Sequence, residues 1–92
     1  MSDSDLLTIL KLNLEIIPSN TARDSYLAQL LQAARQYITT EGITLDDSIG
    51  DGNLVVMYAG YLYRKRADAS EQMPRMLRYA LNNRLFAEKM NQ

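Results

Sequence analysis

A chain of 92 residues with a net charge of −1 and no Cys, His or Trp has room for one core and little catalytic chemistry. Without Cys there is no disulfide framework, thiolate nucleophile or zinc ribbon; without His there is no Ser-His-Asp triad, histidine base or common transition-metal site. The acidic start Met1-Ser2-Asp3-Ser4-Asp5 is unlike a secretory leader, and the uncharged run 52–63 is shorter than the roughly 20 residues that a bilayer span needs, so no membrane association is expected.

Hydrophobic periodicity predicts a single all-α domain over 1–92, with four helices and no strand pairing. The first helix is expected from about Ser4 to Asn13, with Ser4 as N-cap and Leu6, Leu7, Leu10 and Leu14 at helical spacing. Pro18-Ser19-Asn20 breaks the pattern. The second helix is expected over about Ala22–Glu41. Thr21 and Asp24 stand at the spacing of a capping box, and Gly42 is placed as the residue that ends the helix. At 100° per residue, Tyr26, Leu27, Leu30, Leu31, Ala33, Ala34, Tyr37 and Ile38 fall within about 160° of arc.

The acidic stretch from Gly42 to Gly52 reads as a loop. Asp51 then stands as the candidate N-cap of a third helix, from Gly52 to about Ala67. That helix has no charge before Arg64 and is apolar nearly all round, as expected of a central helix or one that meets a partner. Gly60 inside it implies close backbone approach by a neighbour. The fourth helix is expected to begin at Met73-Pro74, with Pro in the first position, and to run to about Met90. Met73, Met76, Leu77, Ala80, Leu81 and Leu85 form its core stripe. Arg84 interrupts that stripe, with Glu88 as its i,i+4 partner, so the last two turns are expected to leave the core. The core set is expected to include Leu30, Leu31, Ala34, Tyr58, Leu62, Leu77 and Leu81.

No catalytic, cofactor or metal site can be assembled from these residues, and no enzyme activity is expected. Gly50-Asp51-Gly52 lacks the rest of a phosphate-binding loop, and Asp46, Asp47 and Asp51 depart from calcium-loop spacing. The charge distribution is more informative. Residues 1–52 hold eight acids against three bases, and residues 53–92 hold seven bases against three acids. Three readings stand: solvated surfaces of one domain, unlike ends of neighbouring copies that meet, or a basic face for nucleic acid.

Two groups are candidate sites. Tyr79, Phe86 and Met90 form a second apolar stripe on the last helix, beside Arg75 and Arg78, and mark a candidate subunit or partner interface. Arg64-Lys65-Arg66 is a candidate basic cluster facing DNA or an acidic surface; the competing explanation is that these cations complement the negative end of the third helix.

The order of several motifs along the chain resembles that of one known family. Leu7, Leu10, Lys11, Leu14 and Ile16 come first, then Asp24, Leu27, Leu30, Leu31, Ala34 and Ile38. After the acidic loop come Tyr61-Leu62-Tyr63-Arg64-Lys65-Arg66 and Met73-Pro74-Arg75-Met76-Leu77. This order resembles that of the small head–tail connector, or DNA-packaging adaptor, proteins of tailed bacteriophages and prophages. The resemblance implies an all-α structural protein without a catalytic site or cofactor, which assembles as a ring below the portal and extends the DNA channel. Its implied partners are further copies of itself, the portal and neighbouring head–tail joining proteins, with DNA only as a non-specific contact in the channel. Its implied location is the head–tail junction of the virion, and the host cytoplasm before assembly. The alternative from the residues is a small helical nucleic-acid-binding or regulatory module that uses Arg64, Lys65, Arg66, Arg75 and Arg78. The near-neutral charge and a pI of about 5.2 speak against that alternative.

Overall fold

Four helices carry the fold in the computed structural model, which describes residues 2–90. They are α1 (Asp3–Asn13), α2 (Asp24–Thr40), α3 (Ile49–Ala67) and α4 (Arg75–Met90), and no strand occurs among the described residues. The all-α single domain expected from periodicity is the one observed. α2 and α3 make the broadest contact, α1 packs on both of them, and α4 packs on α3.

Hydroxyl–acid pairs set the starts of α1 and α3, and all four helix starts differ from their expected places. Ser2, not Ser4, caps α1: its side chain accepts from Asp5 N–H while the Asp5 carboxylate accepts from Ser2 N–H. Ser48, not Asp51, caps α3; its Oγ accepts from Asp51 N–H, which places Asp51 inside the first turn. Thr21 caps nothing through its side chain, because α2 begins after Arg23. The Asp24 carboxylate, expected to close the box with Thr21, pairs instead with Lys11 Nζ at 2.8 Å. Pro74 lies one residue before α4, where its carbonyl accepts from Arg78 N–H.

α1 and α2 end beside left-handed residues, whereas α3 ends on extended Asp68. Gly42 follows α2 with φ of +104°, as expected. α1 ends in the same manner on Glu15, at φ +61°. There Ile16 N–H donates to the Lys11 carbonyl and Glu15 N–H to that of Leu12, a pair of bonds that closes the helix with a glutamate in glycine's usual position.

α3 is the central helix, buried from Asp51 to Tyr61 except at Asn53 and half-buried Met57. Around it the core gathers Leu6, Leu10, Leu27, Leu31, Ala34, Ile38, Ile43, Leu77 and Leu81. Of the expected core, Leu31, Ala34, Tyr58, Leu77 and Leu81 are buried, whereas Leu30 and Leu62 are half-buried at its edge. Met76, expected inside, points outward. Gly60 admits no neighbouring backbone: a Cβ there would meet only the Arg64 guanidinium, at 3.5 Å.

Two cations do structural work that hydrophobic patterning does not show. Lys11 is buried, and its Nζ donates to the Pro18 carbonyl as well as pairing with Asp24, joining α1 to the start of α2. Arg84 reaches back to buried Asp51 and to the Thr44 carbonyl, fastening α4 to α3 and the preceding loop. The last turns of α4 therefore stay on the body of the molecule, contrary to the expectation that they leave it, and Leu85 packs against the core.

Candidate functional site

α4 presents two unlike faces because its apolar residues fall into two sets. Leu77 and Leu81 are buried on α3. Met76, Tyr79, Phe86 and Met90 lie on the other side and are 74%, 59%, 66% and 69% exposed, respectively. At 100° and 1.5 Å per residue these four occupy about 80° of arc and run about 21 Å along the helix. They account for half of the exposed large apolar side chains among the described residues. The expected stripe of Tyr79, Phe86 and Met90 is thus present on one surface, and Met76 extends it.

The cations beside the stripe separate into two kinds. Arg75 and Lys89 are exposed on one flank and make no ion pair among the described residues. Arg78 turns inward, and its Nη2 meets Glu41 Oε1 at 2.5 Å, where α2 ends. Arg84 binds the Asp51 carboxylate through Nε at 2.8 Å and Nη2 at 3.2 Å, and Nη1 reaches Glu88 Oε2 at 3.0 Å. Hydrogen bonds to Asp51 and Glu88 hold the Arg84 guanidinium far above its ordinary pKa. Hydrogen bonds from Thr44 and then Arg84 hold the Glu88 carboxyl below the usual range. The charge split between the halves of the chain is therefore partly satisfied within one molecule, by Arg78–Glu41 and Arg84–Asp51.

Arg64-Lys65-Arg66 lies at the far end of α3, where its members rest mainly on aromatic rings. Lys65 Nζ lies 5.7 Å from the Tyr61 ring centroid and the Arg66 guanidinium 5.1 Å from that of Tyr26. Among the described residues the one ion pair of Arg64 is a long, exposed contact of 3.7 Å with Glu71. Arg23 joins this end from the start of α2, donating to the Tyr63 hydroxyl and lying 5.9 Å from its ring centroid. Sequence reasoning did not place Arg23, Tyr26 and Tyr63 with the cluster, since about forty residues separate Arg23 from Tyr63 and no local pattern links them. Arg75 and Arg78 do not join it; they lie on the first turn of α4.

Asp46 and Asp51 serve the loop that enters α3. The Asp46 carboxylate accepts from Ser48 N–H, and Asp51 Oδ2 accepts from Asp46 N–H. Among the described residues no group of three or more acidic side chains is placed to hold a metal ion, and no helix is long and apolar enough to cross a membrane. Comparison with protein-family models, curated proteins and solved structures finds no match to this chain.

Proposed function

We propose that this chain is the ring-forming subunit of a head–tail connector in a tailed bacteriophage or prophage, placed below the portal so that the ring extends the DNA channel. The exposed row Met76, Tyr79, Phe86 and Met90 carries the reading, because an apolar face about 21 Å long on an anchored helix is a surface made for a protein neighbour. The order of motifs resembling the connector family names the kind of neighbour: more copies of the chain, with portal and joining proteins above and below. A ring joins unlike surfaces, so each subunit needs a complement to this stripe elsewhere on itself. In this reading the protein is structural, takes no cofactor, and resides at the head–tail junction after a period in the host cytoplasm.

Co-incubation with the cognate portal tests it. Wild type is expected to incorporate, and a Tyr79→Ala/Phe86→Ala double variant to incorporate poorly. Equal incorporation of both removes the stripe from the interface, and failure of wild type to incorporate removes the connector role.

One observation favours a second reading, a nucleic-acid-binding module. Arg23, Lys65 and Arg66 rest on tyrosine rings without carboxylate partners among the described residues, leaving cationic charge available to phosphates. A sequence-specific DNA complex whose affinity falls steeply with salt would decide for that module and against the connector.

A further inference from the structure

We infer that the outer face of α4 seats in the groove between α1 and α2 of a second copy of this chain, so that copies join head to tail. The inference rests on the connector reading and names what covers its stripe. The groove, of about 710 Å³, lies between the outer sides of α1 and α2 and has no lining from α3 or α4. Half-buried Leu7 and Ala33 and exposed Ala28 contribute its apolar surface above buried Leu31, with Gln32 and Gln36 along α2. Ridge and groove are thus built from different elements of the same molecule.

Three properties match the two surfaces. The first is polarity. In a chain with 23% charged residues, the outward side of α2 offers Ala28, Gln29, Gln32, Ala33 and Gln36 without a charge among them. The one cation there, Arg35, is neutralised by Asp3 at 2.6 Å. Depletion of charge marks the centre of protein interfaces, and the short side chains of Ala28 and Ala33 leave room for the large ones of an incoming helix.

The second is length. At 1.5 Å per residue, Ala28 to Gln36 spans about 12 Å and Met76 to Met90 about 21 Å, so the stripe covers the whole groove and overhangs it by about 9 Å. The third is charge at the borders. Arg75 and Lys89 flank the stripe without ion-pair partners among the described residues, whereas the start of α1 carries two acids, Asp3 and Asp5, against the single cation Arg35 that Asp3 holds, an excess of one negative charge at that end. Opposite charges at the rim set orientation more than affinity.

Area sets the strength of the contact. An aromatic side chain buries about 150–250 Å² when wholly covered, and a stable interface buries roughly 800 Å² on each partner. Two aromatics and two methionines, already part-covered, do not reach that figure, so one junction is weak and many become stable together. Because the surfaces are unlike, the contact repeats until its rotation closes a ring.

Complementation between two disabled variants tests the inference. Ala28→Glu places a charge in the groove and Phe86→Glu places one in the stripe; both positions are exposed, and far-UV circular dichroism should match wild type. Tyr79→Glu serves as a second stripe variant. Sedimentation equilibrium would follow each protein up to about 1 mM, where a millimolar contact is substantially populated. The wild-type mass is expected to rise past a dimer, and each variant alone to associate at least tenfold more weakly. An equimolar mixture of groove and stripe variants is expected to form a 1:1 dimer and nothing larger, since only one intact ridge–groove pair remains. A mixture that stays monomeric, a wild type that stops at a dimer, or a wild type monomeric throughout would overturn the inference. Portal incorporation scores the connector reading separately: incorporation without complementation leaves that role and removes this contact, and complementation without incorporation does the reverse.

Discussion

Arg84 grips both oxygens of the Asp51 carboxylate, Nε on Oδ1 at 2.8 Å and Nη2 on Oδ2 at 3.2 Å, across 33 residues of chain. Asp51 is buried, so removing the guanidinium leaves a carboxylate with little access to water. Arg84→Ala is expected to cost about 3 kcal/mol, the lower end of the range for broken buried pairs because Arg84 keeps some exposure. Denaturant titration of Arg84→Ala, Asp51→Asn and the double variant would measure the coupling. A loss below about 1 kcal/mol for Arg84→Ala would mean that the pair does not hold α4 in place.

The two faces of α4 should respond oppositely to truncation. Leu77→Ala and Leu81→Ala are expected to cost about 2–5 kcal/mol each, as buried leucines do. Met76→Ala on the outer face should stay within about 0.5 kcal/mol of wild type. Leu30→Ala, at the core edge, should lie between these limits. Urea midpoints at constant m-value would rank them, and equal effects on the two faces would contradict the burial pattern.

Gly60→Ala should stabilise the protein by about 0.5–1 kcal/mol. The new Cβ meets only the movable end of Arg64, and alanine is the better helix former. A thermal midpoint lower than wild type would reveal a constraint on this position other than Arg64.

Glu15→Gly should also stabilise, by about 0.5 kcal/mol, since glycine enters the left-handed region freely and only part of that gain is lost to the more flexible unfolded chain. A loss of stability would assign the Glu15 carboxylate a role that outweighs its backbone position.

Acid should weaken the fold through carboxyls held low. Glu88 is lowered by Thr44 and Arg84, and Asp46 and Asp68 by their bonds from Ser48 and Ser70. The unfolded chain takes up these protons near the ordinary values of about 4, while the folded chain resists them. Their contribution is therefore complete above that range and is lost as pH falls through the lowered folded values. Urea midpoints from neutral pH into acid should fall accordingly, and Glu88→Gln should flatten the decline. An unchanged acid limb in that variant would remove Glu88 from the set.

The four helices were legible because apolar residues recur at helical spacing along nearly the whole chain, and the outer stripe because Tyr79, Phe86 and Met90 fall off the core side of their helix. The caps show where local reading stops. Ser2–Asp5, Thr21–Asp24 and Ser48–Asp51 share one spacing, yet only the first closes in both directions. The other two acids are drawn away by distant cations, Asp24 by Lys11 and Asp51 by Arg84. Arg84 was misread for the same reason: a cation within an apolar stripe reads as a departure from the core until its buried partner on another helix is known. The basic cluster gained Arg23 only through the antiparallel course of α2 and α3.

The clamp at Arg84 has a bearing on how α4 opens and closes. α4 is held chiefly by Leu77, Leu81, half-buried Leu85 and the two ion pairs to Glu41 and Asp51, whereas α1, α2 and α3 all pack on one another. Such a helix is expected to detach and unwind as a unit, losing its outer stripe, at less free energy than the whole domain needs to unfold, and its amides would exchange with solvent through that partial opening. Any molecule that covers the outer face binds only the closed form, so occupancy and closure are thermodynamically linked. Slowed amide exchange on the side of α4 that faces α3 would then report an event on the side that faces outward.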